Sequence, residues 1–214
     1  MFICRKKVVY LRQINIKIMI ENIENQIIKK IKKAKASTPF FADSFVNIAS
    51  AKSINKTLER LVTNKILTRV ATGIYVRPAQ DKILGKIMPT IDQIATAIAK
   101  RDKARIMPTG SYAMYKLGLT TQIPLNVVYY TDASARKIKI NNQTITFKKA
   151  SAKSLSTIGN SSKLAIQALR SIGKGKVTQE EITKIREILK NENPYHLAHD
   201  LKIAPEWIKS ILLA

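Results

Sequence analysis

Lys52, Ser53, Asn55 and Lys56 fall within five positions, and Arg60 follows one helical turn later. On an α-helix such side chains present hydrogen-bond donors to the edges of bases. Asn pairs bidentately with adenine, Ser bonds to several edges, and Lys meets guanine or phosphate, while Arg60 is placed to meet a backbone phosphate. Arg69, Thr72 and Gly73 lie just beyond, where a turn could reach a minor groove or a phosphate. The bland counterpart is a solvated helix face, and spacing alone leaves both open.

A second group combines Thr109, Ser111, Tyr112, Tyr115 and Lys116 with Tyr129, Tyr130, Arg136, Lys137 and Lys139. Aromatic rings among cations can form a stacking surface for single-stranded RNA or DNA, although core packing would occupy some of the tyrosines equally well. Thr109-Gly110-Ser111 could open a helix and hold an anion on free N–H groups. It lacks the full P-loop pattern. His196 and His199 stand three apart beside Asp200, a spacing that could share a metal, but no second cluster completes a ligand set. No metal or cofactor is therefore expected. Asp132 is the only acid between Asp102 and Glu180. Metal-assisted phosphoryl chemistry wants two or three carboxylates near one site, so the chain is not expected to be an enzyme.

These residues need elements to hold them. Ile20, Ile23, Ile27 and Ile31 recur at helical spacing, and Ser37-Thr38-Pro39 breaks the pattern. Phe40, Phe41 and Phe45 suggest a short second helix and read as core. Ser50 suits an N-cap for a third helix, with Ile54, Leu58, Leu61 and Val62 as its apolar stripe. Ile66 to Val70, then Ala71-Thr72-Gly73, then Ile74 to Val76 read as strand, turn and strand, with Gly73 able to take positive φ. Three helices followed by a hairpin make a winged helix-turn-helix. Beyond Pro78 the spacing predicts a helix over 90–103, an extended piece at 105–108 and a short helix closed by Gly118. It then predicts a strand over 124–131 and a hairpin around Asn141-Asn142-Gln143. Helices follow over 162–172, 178–190, 194–201 and 205–213, and Thr178 with Glu181 forms a capping box.

The expected fold is α+β, mostly helical. A winged helix-turn-helix DNA-binding domain spans 19–80. A mixed α/β domain spans 81–214, with a helical tail from about residue 160. Residues 1–18 read as an N-terminal extension, with Met19 as the natural start. The chain has 214 residues, with 45% hydrophobic content and 38 Lys plus Arg against 14 Asp plus Glu, a net charge of +24. That is too apolar for a disordered tail. Such an excess of cations self-repels unless a polyanion is near, although abundant Lys, Ile and Asn also fit an AT-rich genome. Each side of Gln80 carries +12: 16 basic and 4 acidic residues before it, 22 and 10 after. One cysteine, Cys4, excludes an internal disulfide and a cysteine-built zinc site. No run approaches a membrane span, and no signal peptide is evident. A cytoplasmic location without membrane partners is expected.

Three stretches resemble the AbiEi-type antitoxins, the transcriptional regulators of type IV toxin–antitoxin, or abortive-infection, modules. The first runs from Ser53 to Val62 and on through Arg69 to Pro78. The second is Pro108 to Pro124, containing Thr-Gly-Ser-Tyr-Ala-Met-Tyr-Lys-Leu-Gly. The third is the Val127 to Asp132 strand with its basic hairpin. Together they cover roughly residues 20–150. The resemblance implies a winged helix that represses its own operon by binding repeats in double-stranded DNA. It also implies a C-terminal domain that counters a nucleotidyltransferase-like toxin without an obligatory complex. Two alternatives stand beside it: an RNA-binding accessory protein whose C-terminal domain shields a toxin substrate, and an enzyme that reverses the toxin's modification.

Overall fold

The computed structural model describes residues 19–213 apart from Glu21 and Leu84. The expected extension at residues 1–18, with Cys4, lies outside the described residues. The architecture is mixed α/β, helices with three small sheets. It divides into two compact units, Met1–Ile94 and Ala95–Ala214.

In the first unit, helix α1 (22–33) buries Ile23, Ile27 and Ile31 on one side, the stripe that their spacing predicts. The chain then enters strand β1 (Pro39–Phe40) rather than the expected second helix. Only a 3-10 turn, Ala42–Phe45, follows. Pro39 has no N–H to donate, and it sits on a sheet edge where none is required; β1 pairs with β3 alone. Phe40 and Phe45 stack with centroids 5.9 Å apart, and all three phenylalanines are buried. Helix α2 (Ala51–Thr63) starts at Ser50, whose hydroxyl accepts the N–H of Ser53, as an N-cap should. Its inner face, Ile54, Leu58 and Leu61, joins α1, Phe40, Phe45, Leu67 and Tyr75 in one core.

Strands β2 (Thr68–Ala71) and β3 (Ile74–Val76) form an antiparallel hairpin. Gly73 turns it at φ +72°, the left-handed conformation that glycine adopts without strain. A second hairpin, β4 (Ala79–Asp81) with β5 (Gly85–Ile87), has no counterpart in the sequence expectations. Ser37 anchors it: its hydroxyl donates to the Ile87 carbonyl at 2.8 Å and accepts the Ala79 N–H at 3.3 Å.

Helix α3 (Ile91–Arg101) runs across the division between the units. The second unit then builds a four-stranded sheet in the order β6-β7-β9-β8, from β6 (Ile106–Thr109), β7 (Asn126–Thr131), β8 (Arg136–Ile140) and β9 (Gln143–Lys149). The predicted hairpin is present as β8–β9, but β9 inserts beside β7 and runs parallel to it. Helix α4 (Ser111–Lys116) ends before Leu117 and Gly118, the latter at φ +65°. Four helices close the chain: α5 (Asn160–Ile172), α6 (Gln179–Leu189), α7 (Pro194–Ile203) and α8 (Glu206–Leu213). They pack Ala165, Ile166, Leu169, Ile185, Leu189 and Ile208 with Ala113 of α4 and its C-cap residue Leu117. The capping box at Thr178 and Glu181 is formed in both directions. Among the described residues, no helix is long and apolar enough to cross a membrane.

Candidate nucleic-acid interface

Helix α2 carries the first group of candidates. Burying Ile54, Leu58 and Leu61 turns the opposite side outward, because a helix repeats every 3.6 residues. Lys52, Asn55 and Lys56 are exposed there, and Ser53 is half-buried beside its cap partner Ser50. None of the two lysines or Asn55 is bonded to another described residue. Arg60 is held differently. Its Nη2 lies 3.1 Å from Glu24 Oε2 of α1 and 3.4 Å from Thr57 Oγ1. Arg69 and Thr72 are exposed on the β2–β3 hairpin, with Gly73 at its turn.

The second group does not come together as one surface. Sheet register explains why. Neighbouring residues on a strand point to opposite faces, while directly paired residues share one. Tyr129 pairs with Phe147, and Arg136 with the same Phe147. That face is the interior one. Tyr129 is 2% exposed, its ring 5.9 Å from Phe147 and 5.9 Å from Tyr112. Tyr112 stacks on the half-buried Tyr115 in turn. Arg136 lies over the Phe147 ring and is ion-paired to Asp102. Tyr112, Tyr129 and Arg136 are thus packing residues. Lys116 and Ser111 are exposed on α4, a single short helix. Lys137 and Lys139 face the other way, opposite Thr146 and Thr144.

That outer face holds a cleft of about 260 Å³ lined by Thr109, Val128, Tyr130, Lys148, Gln167 and Arg170, among others. Thr109 is buried and donates its hydroxyl to Gln167 Oε1 at 3.3 Å. Of the original candidates, Thr109, Tyr130, Lys137 and Lys139 belong to this side of the sheet. Lys148, Gln167 and Arg170 were missed. For Lys148 the signal is parity: it alternates with Phe147 and pairs with Tyr130. For Arg170 nothing in the sequence indicates that α5 meets this sheet.

The acids of the second unit are engaged elsewhere. Burial works against the Asp102 carboxylate, but hydrogen bonds and charge from Arg101 and Arg136 outweigh it and lower its pKa. Arg105 lowers that of Asp132 through its side chain and its backbone N–H, at 2.9 and 2.8 Å. His199 Nδ1 lies 3.0 Å from Asp200, and His196 lies 3.9 Å from Glu192. Those two carboxylates in turn accept backbone N–H groups at the start of α5.

A family model described as a family of unknown function, DUF6088, matches residues 26–197. The chain belongs to that family. The match reaches from α1 into α7, so the α2 face and the outer sheet face both lie within the DUF6088 region. No curated protein matches the chain.

Proposed function

We propose that this DUF6088 chain is a sequence-specific DNA-binding regulator whose N-terminal unit is a winged helix-turn-helix. The observation that carries the reading is the outward face of α2. Lys52, Asn55 and Lys56 stand exposed on a helix whose opposite face is locked into the core, and a two-stranded hairpin with exposed Arg69 and Thr72 follows it. A B-form major groove admits one α-helix and displays a distinct donor and acceptor pattern for each base pair. In this reading Asn55 and Ser53 meet base edges, Lys52 and Lys56 meet guanine or phosphate, and the hairpin turn meets the flanking backbone. The dense positive charge before Gln80 speeds the encounter with DNA.

The resemblance at Ser53–Pro78, Pro108–Pro124 and Val127–Asp132 supports a narrower version. The chain represses its own operon and counters a nucleotidyltransferase-like toxin encoded beside it. We read the protein as non-enzymatic, since Asp102 and Asp132 are both engaged by arginines. Footprinting on the chain's own promoter at moderate salt tests the regulator. Protection of repeated elements is expected, and uniform weak binding with no protected sequence would overturn it. Co-expression with the neighbouring reading frame tests the antitoxin role, with rescue of growth as the expected result.

A further inference from the structure

The outer face of the β6-β7-β9-β8 sheet gathers cations that no carboxylate among the described residues answers. Lys137 and Lys139 stand two residues apart on β8, about 6.8 Å along an antiparallel strand. Lys148 follows on β9, and Arg170 reaches the same cleft from α5. All four are exposed, and none is ion-paired to a described residue. Unpaired like charges on one face destabilise a compact unit unless an anion is bound there. Asp102 and Asp132, the two acids of this unit that precede β8 in the chain, are tied to arginines instead.

The cleft is more than a patch of charge. Tyr130, half-buried, sits on its wall opposite Lys148 in the sheet register, with Val128 two residues along on the same face. Gln167 is 2% exposed. Its Oε1 is taken by the Thr109 hydroxyl, which leaves its amide nitrogen without an acceptor among the described residues. Cations along the rim, an aromatic ring in the wall and a fixed amide donor are the parts that hold an unpaired strand: phosphates on the cations, a base on the ring, a base edge on the donor. A duplex keeps its bases stacked on one another and cannot offer one to Tyr130. An acidic peptide would answer the cations and the amide but offer the ring no base to stack on it.

We propose that this outer sheet face binds single-stranded nucleic acid, independently of duplex recognition by α2. The test is fluorescence anisotropy of the full chain with a labelled oligouridylate, an oligothymidylate and a duplex. Strands of about a dozen nucleotides fall within the usual site size for one such surface. Lys148→Ala with Arg170→Ala should weaken binding of the single strands about tenfold or more and make the salt slope shallower by about 1.4. Tyr130→Leu, which keeps an apolar side chain in the wall, should also weaken it at least fivefold or so. Lys52→Ala with Lys56→Ala should weaken duplex binding and spare the strands.

Unchanged affinity and salt slope in the Lys148/Arg170 variant would overturn the proposal. So would parallel loss of strand binding in the Lys52/Lys56 variant, or equal displacement of the strand by polyglutamate. Lys148 and Arg170 are exposed, so their removal leaves the core intact, and urea unfolding of the variant checks this. If strands bind and no duplex does, the α2 reading fails while this one stands.

Discussion

The backbone N–H of Gly159 donates to Asp200 Oδ2 at 3.0 Å, across forty-one residues of chain. Asp200 is fully buried and also accepts the Ile158 N–H at 2.8 Å and the Ser162 hydroxyl at 2.6 Å. Glu192 takes the N–H groups of Ser161 and Ser162. Helix α5 has no side-chain cap from its own N-cap residue. Two carboxylates, Glu192 from the α6–α7 loop and Asp200 from α7, complete its first turn, where N–H groups are otherwise unpaired and negative charge is favoured.

Gly159 therefore has no room for a side chain. A Cβ there would lie 2.0 Å from Ser162 Oγ, 3.0 Å from Glu192 Oε2 and 3.1 Å from Asp200 Oδ2. Ser162 could rotate away only by giving up its bond to Asp200. Gly159→Ala is expected to destabilise the second unit by about 2–4 kcal/mol. Chemical unfolding measures this, and a loss below about 1 kcal/mol would show that the cluster gives way cheaply.

Acid should loosen the same junction. Burial disfavours both carboxylates in their charged form. Yet the His199 and Ser162 contacts and two N–H groups lower the pKa of Asp200, and three backbone N–H groups lower that of Glu192. A folded-state pKa below the unfolded value, about 4 for carboxylates, makes folding more favourable once pH exceeds the unfolded value. That contribution is lost as pH falls through the lower folded-state values. Urea midpoints are thus expected to hold from neutrality to about pH 5 and to drop below about pH 4. Asp200→Asn places an amide donor against donors. It should cost about 2–4 kcal/mol at neutral pH and flatten the acid limb; an unchanged limb would move the effect to other acids.

Local signals were legible where one segment decides its own structure. The Ile23, Ile27 and Ile31 stripe, the Ser50 cap, the Gly73 turn and the Thr178–Glu181 box all depend on residues within a turn or two. Distant partners were not legible. The β4–β5 hairpin has no alternating apolar face, and its anchor is Ser37, more than forty residues upstream of Ala79 and Ile87. Phe40 becomes a strand because Tyr75 pairs with it. The candidate surface at Tyr129, Tyr130, Arg136 and Lys137 split for the same reason. Each neighbouring pair straddles a sheet, and only β9, inserted parallel beside β7, decides which member is interior.

On α2, Asn55 and Lys56 should fail differently. An Asn–adenine pair carries sequence information, whereas a Lys–phosphate contact does not. Asn55→Ala is expected to weaken binding to the operator by about 1–3 kcal/mol and to leave random duplex unaffected. Lys56→Ala should weaken both and reduce the salt slope by about one. Titrations of operator and scrambled duplex at several salt concentrations separate the two. Equal losses on both duplexes for Asn55→Ala would remove it from base reading.

Arg60 was expected to meet a phosphate, but its pairing with Glu24 gives it a role within the fold. The ion pair joins α1 to α2 with both side chains partly exposed, at 37% and 23%. Pairs this open to solvent contribute about 1 kcal/mol at most. Arg60 Nε adds nothing, being buried without a partner among the described residues. Arg60→Gln is expected to lower stability by about 1 kcal/mol or less and to leave the salt slope of duplex binding where it was, in contrast to Lys56→Ala. Glu24→Gln supplies the reciprocal test. If Arg60 only braces the helices, freeing it changes neither affinity nor slope. If it is a phosphate contact restrained by Glu24, the slope steepens and duplex binding tightens, and the bracing role is then secondary.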